Sequence, residues 1–404
     1  MIVVLAACNR YTLFHVETLP QDDFSNRADV LFVIDNSDSM LDETRALAEN
    51  FGTFVDLVAG RDSQHGTDGL ADLAARSIDE MGDRAAFADF QIAVTTTDAS
   101  GNRGAGIGSP AIVPRETANL SRAFLENLLC GATCIGSPAA LPEDPGTPCG
   151  GAPDPLSRDY LDCLCGPGEW TGHCGSGREE PIEAVFLAMC RAAEDPPSAC
   201  FDDPSVFTAA DVGTLSGFLR DDSTLIPVIV TDEGDDSRRS AQADALPRPY
   251  ETLFEEFGFP MVWAVVGPTL EADSTVACGG IATPWGVYRL DALVTSSGGL
   301  KVPIHAPDCG PADFTDALDR LGELVVGLRS KFALPQAAEP DSIRVAVGGE
   351  SVPPAFEEKR DAFGQIVWSD GWTYDEEDAV VQLHGSAIPE ARMDIAIWYL
   401  PDGS

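Results

Sequence analysis

The stretch 30–40, VLFVIDNSDSM, sets oxygen-bearing side chains at alternate positions directly after five apolar residues. Asp35, Ser37 and Ser39 are spaced i, i+2, i+4, with Asp38 between the serines. A carboxylate with two hydroxyls suits a hard cation, Mg²⁺ first, with Ca²⁺ or Mn²⁺ as alternatives. A shell with few formal charges leaves such an ion under-neutralised, so it accepts a further carboxylate from a binding partner. A second apolar run, TLIPVIVTD, ends at Asp232, which is placed to act as a direct or outer-shell carboxylate. Thr97 and Asp98 close a third run, QIAVTTTD, and are candidates to line the same edge, although a turn at a strand end explains them equally well. Of the acidic run after Asp232, the residues Glu233, Asp235 and Asp236 read in part as a solvated loop. The competing reading of DNSDSM is a helix cap that needs no metal, since Ser and Asp favour caps and turns. Asp232 and the architecture around both clusters favour the metal.

That architecture follows from periodicity. Residues 29–34 form a buried strand, and Leu41, Leu47, Phe51, Phe54, Val55 and Val58 then recur at helical spacing. Asp42 and Glu43 fall in the first turn, where the helix dipole favours negative charge, and Gly60 marks the stop. A strand is expected at 89–98 and a helix at EEPIEAVFLAMCRAA with Pro181 in its first turn. Further strands are expected at TLIPVIVTD, PMVWAVVGP and GGLKVPI, and a last helix over ADFTDALDRLGELVVGLRSKF. Apolar strands alternating with helices predict an α/β fold, a doubly wound and mostly parallel sheet covered on both faces. In such sheets ligands sit at the carboxyl ends of the strands, which is where both acidic clusters fall. From Ala333 short, partly alternating segments predict a small antiparallel β domain over 333–404.

Residues 99–174 interrupt this pattern with a long stretch of low hydrophobicity, broken by the helical piece ANLSRAFLENLLC. Cys130, Cys134, Cys149, Cys163, Cys165 and Cys174 all lie there, which predicts a disulfide-stapled insertion in an exported chain. A zinc site is the rival, but only Cys130 and Cys134 show the spacing of a zinc knuckle. The formal charge of −41 at pH 7 argues against nucleic acid, whose phosphates reward clustered Lys and Arg. No later segment reaches the roughly 20 apolar residues that a membrane-spanning helix needs. The chain opens MIVVLAAC, which resembles the lipobox of bacterial lipoproteins. That resemblance implies a signal-peptide remnant over 1–8, a lipidated Cys8 anchoring the chain to a membrane, and a polar tether over 9–27. Asn9 after the Cys favours the outer over the inner membrane.

The Asp-x-Ser-x-Ser motif at 35–39 after a buried first strand, with VTD closing at Asp232, resembles the von Willebrand factor A domain and its metal-ion-dependent adhesion site. The order of elements from 28 to 332 is similar, with 99–174 as extra material. The resemblance implies a doubly wound fold, Mg²⁺ at the top of the sheet, and binding of a protein or cell-surface ligand there. Asp35, Ser37, Ser39 and Asp232 carry over directly. The family's Thr, expected before the helix at 181–193, is missing from CGSGREEPIEAV. Ser176, Glu179 and Glu180 are the nearest oxygen donors, and spacing favours Glu179 or Glu180. A Glu there tightens the cation but weakens its demand for a partner carboxylate.

Enzyme readings fit less well. A haloacid dehalogenase-like, Mg²⁺-dependent phosphatase wants an Asp where Ser37 stands and a Lys ahead of the late acidic pair, whereas Lys301, Lys331 and Lys359 all follow Asp236. There is no G-x-S-x-G elbow, no P-loop, and the five His are scattered. The expected function is therefore non-catalytic and metal-dependent binding at the cell envelope. A permanently metal-stapled envelope scaffold is the alternative.

Overall fold

The computed structural model describes residues 14–15, 27–59, 89–143, 154–175, 177–221, 223–240, 246–268, 284–297, 299–305, 314, 318, 321–322, 331–334, 337–360, 366–376, 380–384, 387 and 395–400. Cys8 and the 1–8 segment, Cys149, Ser176 and much of the expected last helix lie outside these residues. The chain divides into two units. The larger comprises Ser25–Ala74 and Ala85–Gly327, and the smaller Met1–Phe24, Ala75–Arg84 and Leu328–Ser404.

Strand β1 (Phe14–His15) belongs to the smaller unit. The larger unit is built on β2 (Arg27–Ile34), β3 (Asp89–Thr96), β4 (Ile112–Pro114), β5 (Thr224–Val230), β6 (Ala264–Gly267) and β7 (Leu300–Pro303). They form one sheet in the order β4-β3-β2-β5-β6-β7. Every pairing is parallel except that of the edge strand β4 with β3. The expected α/β sheet is therefore present, with a single antiparallel edge.

Alternation along β2 divides the core. Val30, Phe32 and Ile34 point to one face, against Leu47, Phe51 and the buried Phe314, Leu318 and Leu321. Leu31 and Val33 point to the other, against the wholly buried helix Pro181–Ala192 and Leu290 and Leu293 of the helix Pro284–Ser297. A strand buried on both faces carries a continuous apolar run, which is what 30–34 shows.

The 99–174 segment is part of this core and not an appendage. Its helix Leu120–Asn127 continues through a π-turn at Leu128–Ala132, and Leu120, Phe124, Leu128, Leu129, Leu156, Leu161 and Trp170 join the Phe32 face. The Phe124 ring lies 3.4 Å from that of Phe51 and 4.9 Å from that of Phe32 between centroids. Disulfides Cys130–Cys165 and Cys134–Cys174 tie the segment together, and Cys190–Cys200 closes a short loop after the Pro181–Ala192 helix. Cys163 is also disulfide-bonded, so these thiols serve as staples and not as zinc ligands.

The described strand pairings of the smaller unit are antiparallel, with one isolated parallel bridge between Pro354 and Trp372. β1 pairs with β15 (Ile395–Tyr399), which pairs with β9 (Arg344–Val347), which pairs with β10 (Glu350–Val352). β11 (Glu357–Arg360) pairs antiparallel with β12 (Ile366–Trp368), and a further sheet orders β13 (Gly371–Asp375), β14 (Val380–His384) and β8 (Lys331–Ala333). Ile395, Ile397 and Tyr399 alternate inward to meet Val345, Trp372 and Val381. Phe14 and His15, within the expected tether, instead supply an edge strand opposite Tyr399 and Trp398.

Phe124→Ala should cost about 3–5 kcal/mol of stability, the usual range for emptying a packed aromatic site. Urea unfolding of the oxidised protein checks this, and a loss below about 1 kcal/mol would detach the 99–174 segment from the core.

Candidate metal centre

Strand register brings the sequence-distant oxygen donors to one edge. Ile34 stands opposite Val230 on one side and Thr96 on the other. The next residues therefore leave the sheet together: the Asp35 N–H donates to the Val230 carbonyl at 2.9 Å, and the Thr97 N–H to the Ile34 carbonyl at 3.0 Å. The turn before the Pro181–Ala192 helix is tied to both neighbours. The Glu180 N–H donates to the Thr97 carbonyl at 3.0 Å, and the Asp236 N–H to the Glu179 carbonyl at 2.7 Å.

Asp35 is buried, with 1 % of its surface exposed. One carboxylate oxygen accepts the Ser37 N–H at 2.8 Å and the other the Thr231 hydroxyl at 2.7 Å. The Ser37 and Ser39 hydroxyls lie 2.9 Å apart. Glu179 is buried beside them and accepts a hydrogen bond from the Thr97 hydroxyl. Asp232 is buried as well, and its Oδ1 has no hydrogen-bond partner among the described residues. An unpaired carboxylate oxygen out of reach of water is costly.

The electrostatics follow from this crowding. Burial, then the neighbouring Asp35 charge, pushes Glu179 up to about 9, and a hydrogen bond shared with Asp35 adds to the effect. Burial, then the charges of Asp35 and Asp232, pushes Glu233 up to about 7. Asp35 is itself raised, by burial first and with the Asp232 charge contributing. No Lys or Arg pairs with Asp35, Glu179 or Asp232 among the described residues. Without a cation, Glu179 and Glu233 keep their protons to higher pH than an ordinary carboxyl, which limits the repulsion.

The expected donors do not all meet. Asp35, Ser37, Thr97, Glu179 and Asp232 come to the edge, and the Ser39 hydroxyl joins them through its contact with that of Ser37. The Glu180 carboxylate is bound instead by the Arg238 guanidinium at 2.8 and 3.1 Å and lies 3.5 Å from Arg178. Asp98 organises its own turn, accepting the N–H groups of Ser100 and Gly101 and the Ser100 hydroxyl. Asp235, read as part of a solvated loop, is wholly buried: Arg289 pairs with it at 2.9 Å and Ser237 donates to it. Glu43, read as a helix-dipole residue, is a further buried carboxylate with one unpartnered oxygen; the other lies 3.2 Å from His305 Nε2. The Asp232 charge reaches it. Only the tertiary placement of the first helical turn reveals Glu43.

The donor chemistry fits a hard cation only if hydroxyls contribute. Among the described residues no three His, Cys, Asp or Glu side chains group closely enough to form a metal shell alone. Asp35, Ser37, Ser39, Glu179 and Asp232 together offer the mixed carboxylate and hydroxyl oxygens that Mg²⁺, Ca²⁺ or Mn²⁺ accept.

No family model matches the chain, and no curated protein matches it. Among solved structures it is similar to the pilus adhesin SpaC of Lactobacillus rhamnosus GG (7 % identity, 94 % of this chain against 39 % of that one, TM-score 0.34). A von Willebrand factor type A protein from Catenulispora acidiphila aligns at 10 % identity, over 94 % of this chain and 59 % of that one, with TM-score 0.31. The human COPII-coat protein Sec24c aligns at 10 % identity, over 92 % and 43 %, also with TM-score 0.31. The chain thus spans well under two thirds of each of these structures. At such scores the likenesses carry no functional weight, and function rests on the residues.

The raised carboxyls make a signed prediction for the protein in a chelating buffer. Glu179 titrates near 4.5 when unfolded and near 9 when folded. The folded chain thus holds the extra proton between those values, and stability falls as pH rises through that window. Denaturant midpoints measured in chelator from pH 5 to 9 should decline. A rise across the same range would mean that the Glu179 carboxyl is not held in the repulsive setting described.

Proposed function

We propose that the larger unit binds a divalent cation, Mg²⁺ in the first instance, and that the protein is a non-catalytic binding protein of the bacterial cell envelope. Asp35, Ser37, Ser39 and Asp232 would hold the ion, with Glu179 in the place that the resemblance assigns to a Thr. The observation that carries this reading is the buried, unpartnered Asp232 oxygen near Asp35, itself beside Glu179, with no Lys or Arg paired to any of the three among the described residues. A bound cation would supply positive charge there and would accept one further oxygen from a protein or surface ligand. Neighbouring backbone hydrogen bonds hold the donors in place. Several disulfides support export, because such bonds persist in oxidising compartments. A lipid anchor at Cys8 would place the chain at the outer membrane. No described helix is long and apolar enough to cross a membrane.

One observation favours the scaffold reading. The Glu179 carboxyl beside Asp35 would bring charge where a Thr brings none, so a cation bound there would be further neutralised by the protein and would pull less on a partner's acidic group. Metal would then act as a staple for the sheet edge.

Calorimetric titration with Mg²⁺, Ca²⁺ and Mn²⁺ tests the site. Saturable binding is expected near the ~10⁻⁴–10⁻³ M range of extracellular cation modules, and it should vanish in Asp35→Ala. Glu179→Gln copies the protonated carboxyl, so its melting temperature in chelator should match the parent while metal affinity falls about 10- to 100-fold. Absence of binding in the parent would return the motif to a helix cap. Surface capture that depends on metal distinguishes binding protein from scaffold, and hydrolysis of a chromogenic phosphoester would restore the phosphatase.

A further inference from the structure

The two residues of the 35–39 motif that offer no ligand both lie against the cysteine-rich segment. Asn36, 6 % exposed, donates its side-chain amide to the His173 carbonyl at 2.7 Å. Its own carbonyl accepts the Gly175 N–H at 2.9 Å. These contacts flank Cys174 on either side. Asp38 lies against the other arm: its carboxylate is 3.9 Å from the Cys134 sulfur and fills the space where a side chain at Gly136 would go. Gly175 is likewise closed in by the Asn36 side chain. Cys134 and Cys174 are bonded to each other, 40 residues apart.

We infer that the Cys134–Cys174 disulfide, acting through Asn36 and Asp38, is the positioning device for the metal loop. The inference rests on the metal reading above. Alternate residues of the loop divide the work. Asp35, Ser37 and Ser39 face the edge where the cation would sit, whereas Asn36 is hydrogen-bonded from behind and Asp38 abuts Cys134 and Gly136 there. The loop lies past the last β2 pairing, so the sheet ladder does not fix residues 36–39. Anchoring them in advance removes conformational freedom that metal binding would otherwise have to remove, and preorganised donors bind more tightly. The cross-link also closes the stretch that carries Leu156, Leu161 and Trp170 into the core, so the clamp is braced against a packed body. Cys174 is exposed, which leaves the bond open to a reductant.

The test compares the parent with Cys134→Ser/Cys174→Ser, with Cys130→Ser/Cys165→Ser as a disulfide control, and with Asn36→Ala, which keeps every disulfide. Mg²⁺ and Ca²⁺ affinities are read by calorimetry, and amide exchange at 36–40 is read without metal. The Cys134/Cys174 variant should bind about 10-fold or more weakly and exchange faster at 36–40, and Asn36→Ala should shift both readouts the same way. The control should lose thermal stability yet keep its metal affinity within about threefold. Parent-like affinity and exchange in both the Cys134/Cys174 and Asn36 variants would overturn the inference. Should the Cys134/Cys174 variant not fold, Asn36→Ala decides alone. If the parent binds no cation, the metal reading fails, and unchanged exchange at 36–40 would remove the clamp as well.

Discussion

Carboxylates forced together away from water are the constraint around which the larger unit is arranged. Asp35, Glu179 and Asp232 are each nearly inaccessible, and no guanidinium or ammonium is paired with them among the described residues. A buried charge in this state either keeps its proton or acquires a counter-ion. The parallel sheet makes the gathering unavoidable, because β2, β3 and β5 end in register and their next residues share one edge. Backbone hydrogen bonds then hold the 97, 179 and 236 positions in place against the repulsion.

The surrounding acids show the contrast. Asp235 is equally buried but faces Arg289. Glu180 is held by Arg238, and Glu183, with no exposed surface, is held by Arg239 and the Tyr250 hydroxyl at 3.1 and 2.6 Å. Each of these acids has a cationic partner, Arg238 and Arg239 from a loop and Arg289 from the helix Pro284–Ser297, at separations where a buried pair offsets much of its desolvation. The division between paired and unpaired carboxylates marks the site more sharply than acidity does, since a chain with net charge −41 carries acids everywhere.

The cysteine-rich segment has two roles in this arrangement. Its aromatic and aliphatic residues complete one face of the core, and its Cys174 arm reaches Asn36 at the site. One stretch of chain thus links core packing to the geometry of the loop. A disulfide-braced contact of this kind supplies order that a loop beyond the last strand pairing lacks.

Much of this was legible in the sequence, and the reason is periodicity. The short, unbroken apolar run 30–34, β-branched at Val30, Val33 and Ile34, reads as a strand covered on both faces, and its alternation with helical segments implies a parallel sheet with ligands at its carboxyl edge. Asp35, Ser37 and Ser39 stand out as candidate donors because their spacing is local, and Asp232 because it ends a second such run. What the sequence left open depended on orientation across long separations. Glu179 and Glu180 are neighbours with the same chemistry, and only the turn before the Pro181–Ala192 helix points one at Asp35 and the other at Arg238. Asp235 looked like a surface acid until Arg289, 54 positions away, was packed onto it. The role of Asn36 depends on residues more than a hundred positions distant. Strand and helix identity come from local pattern, whereas the charge state and partner of each acid are set by which chain segments the fold brings to it.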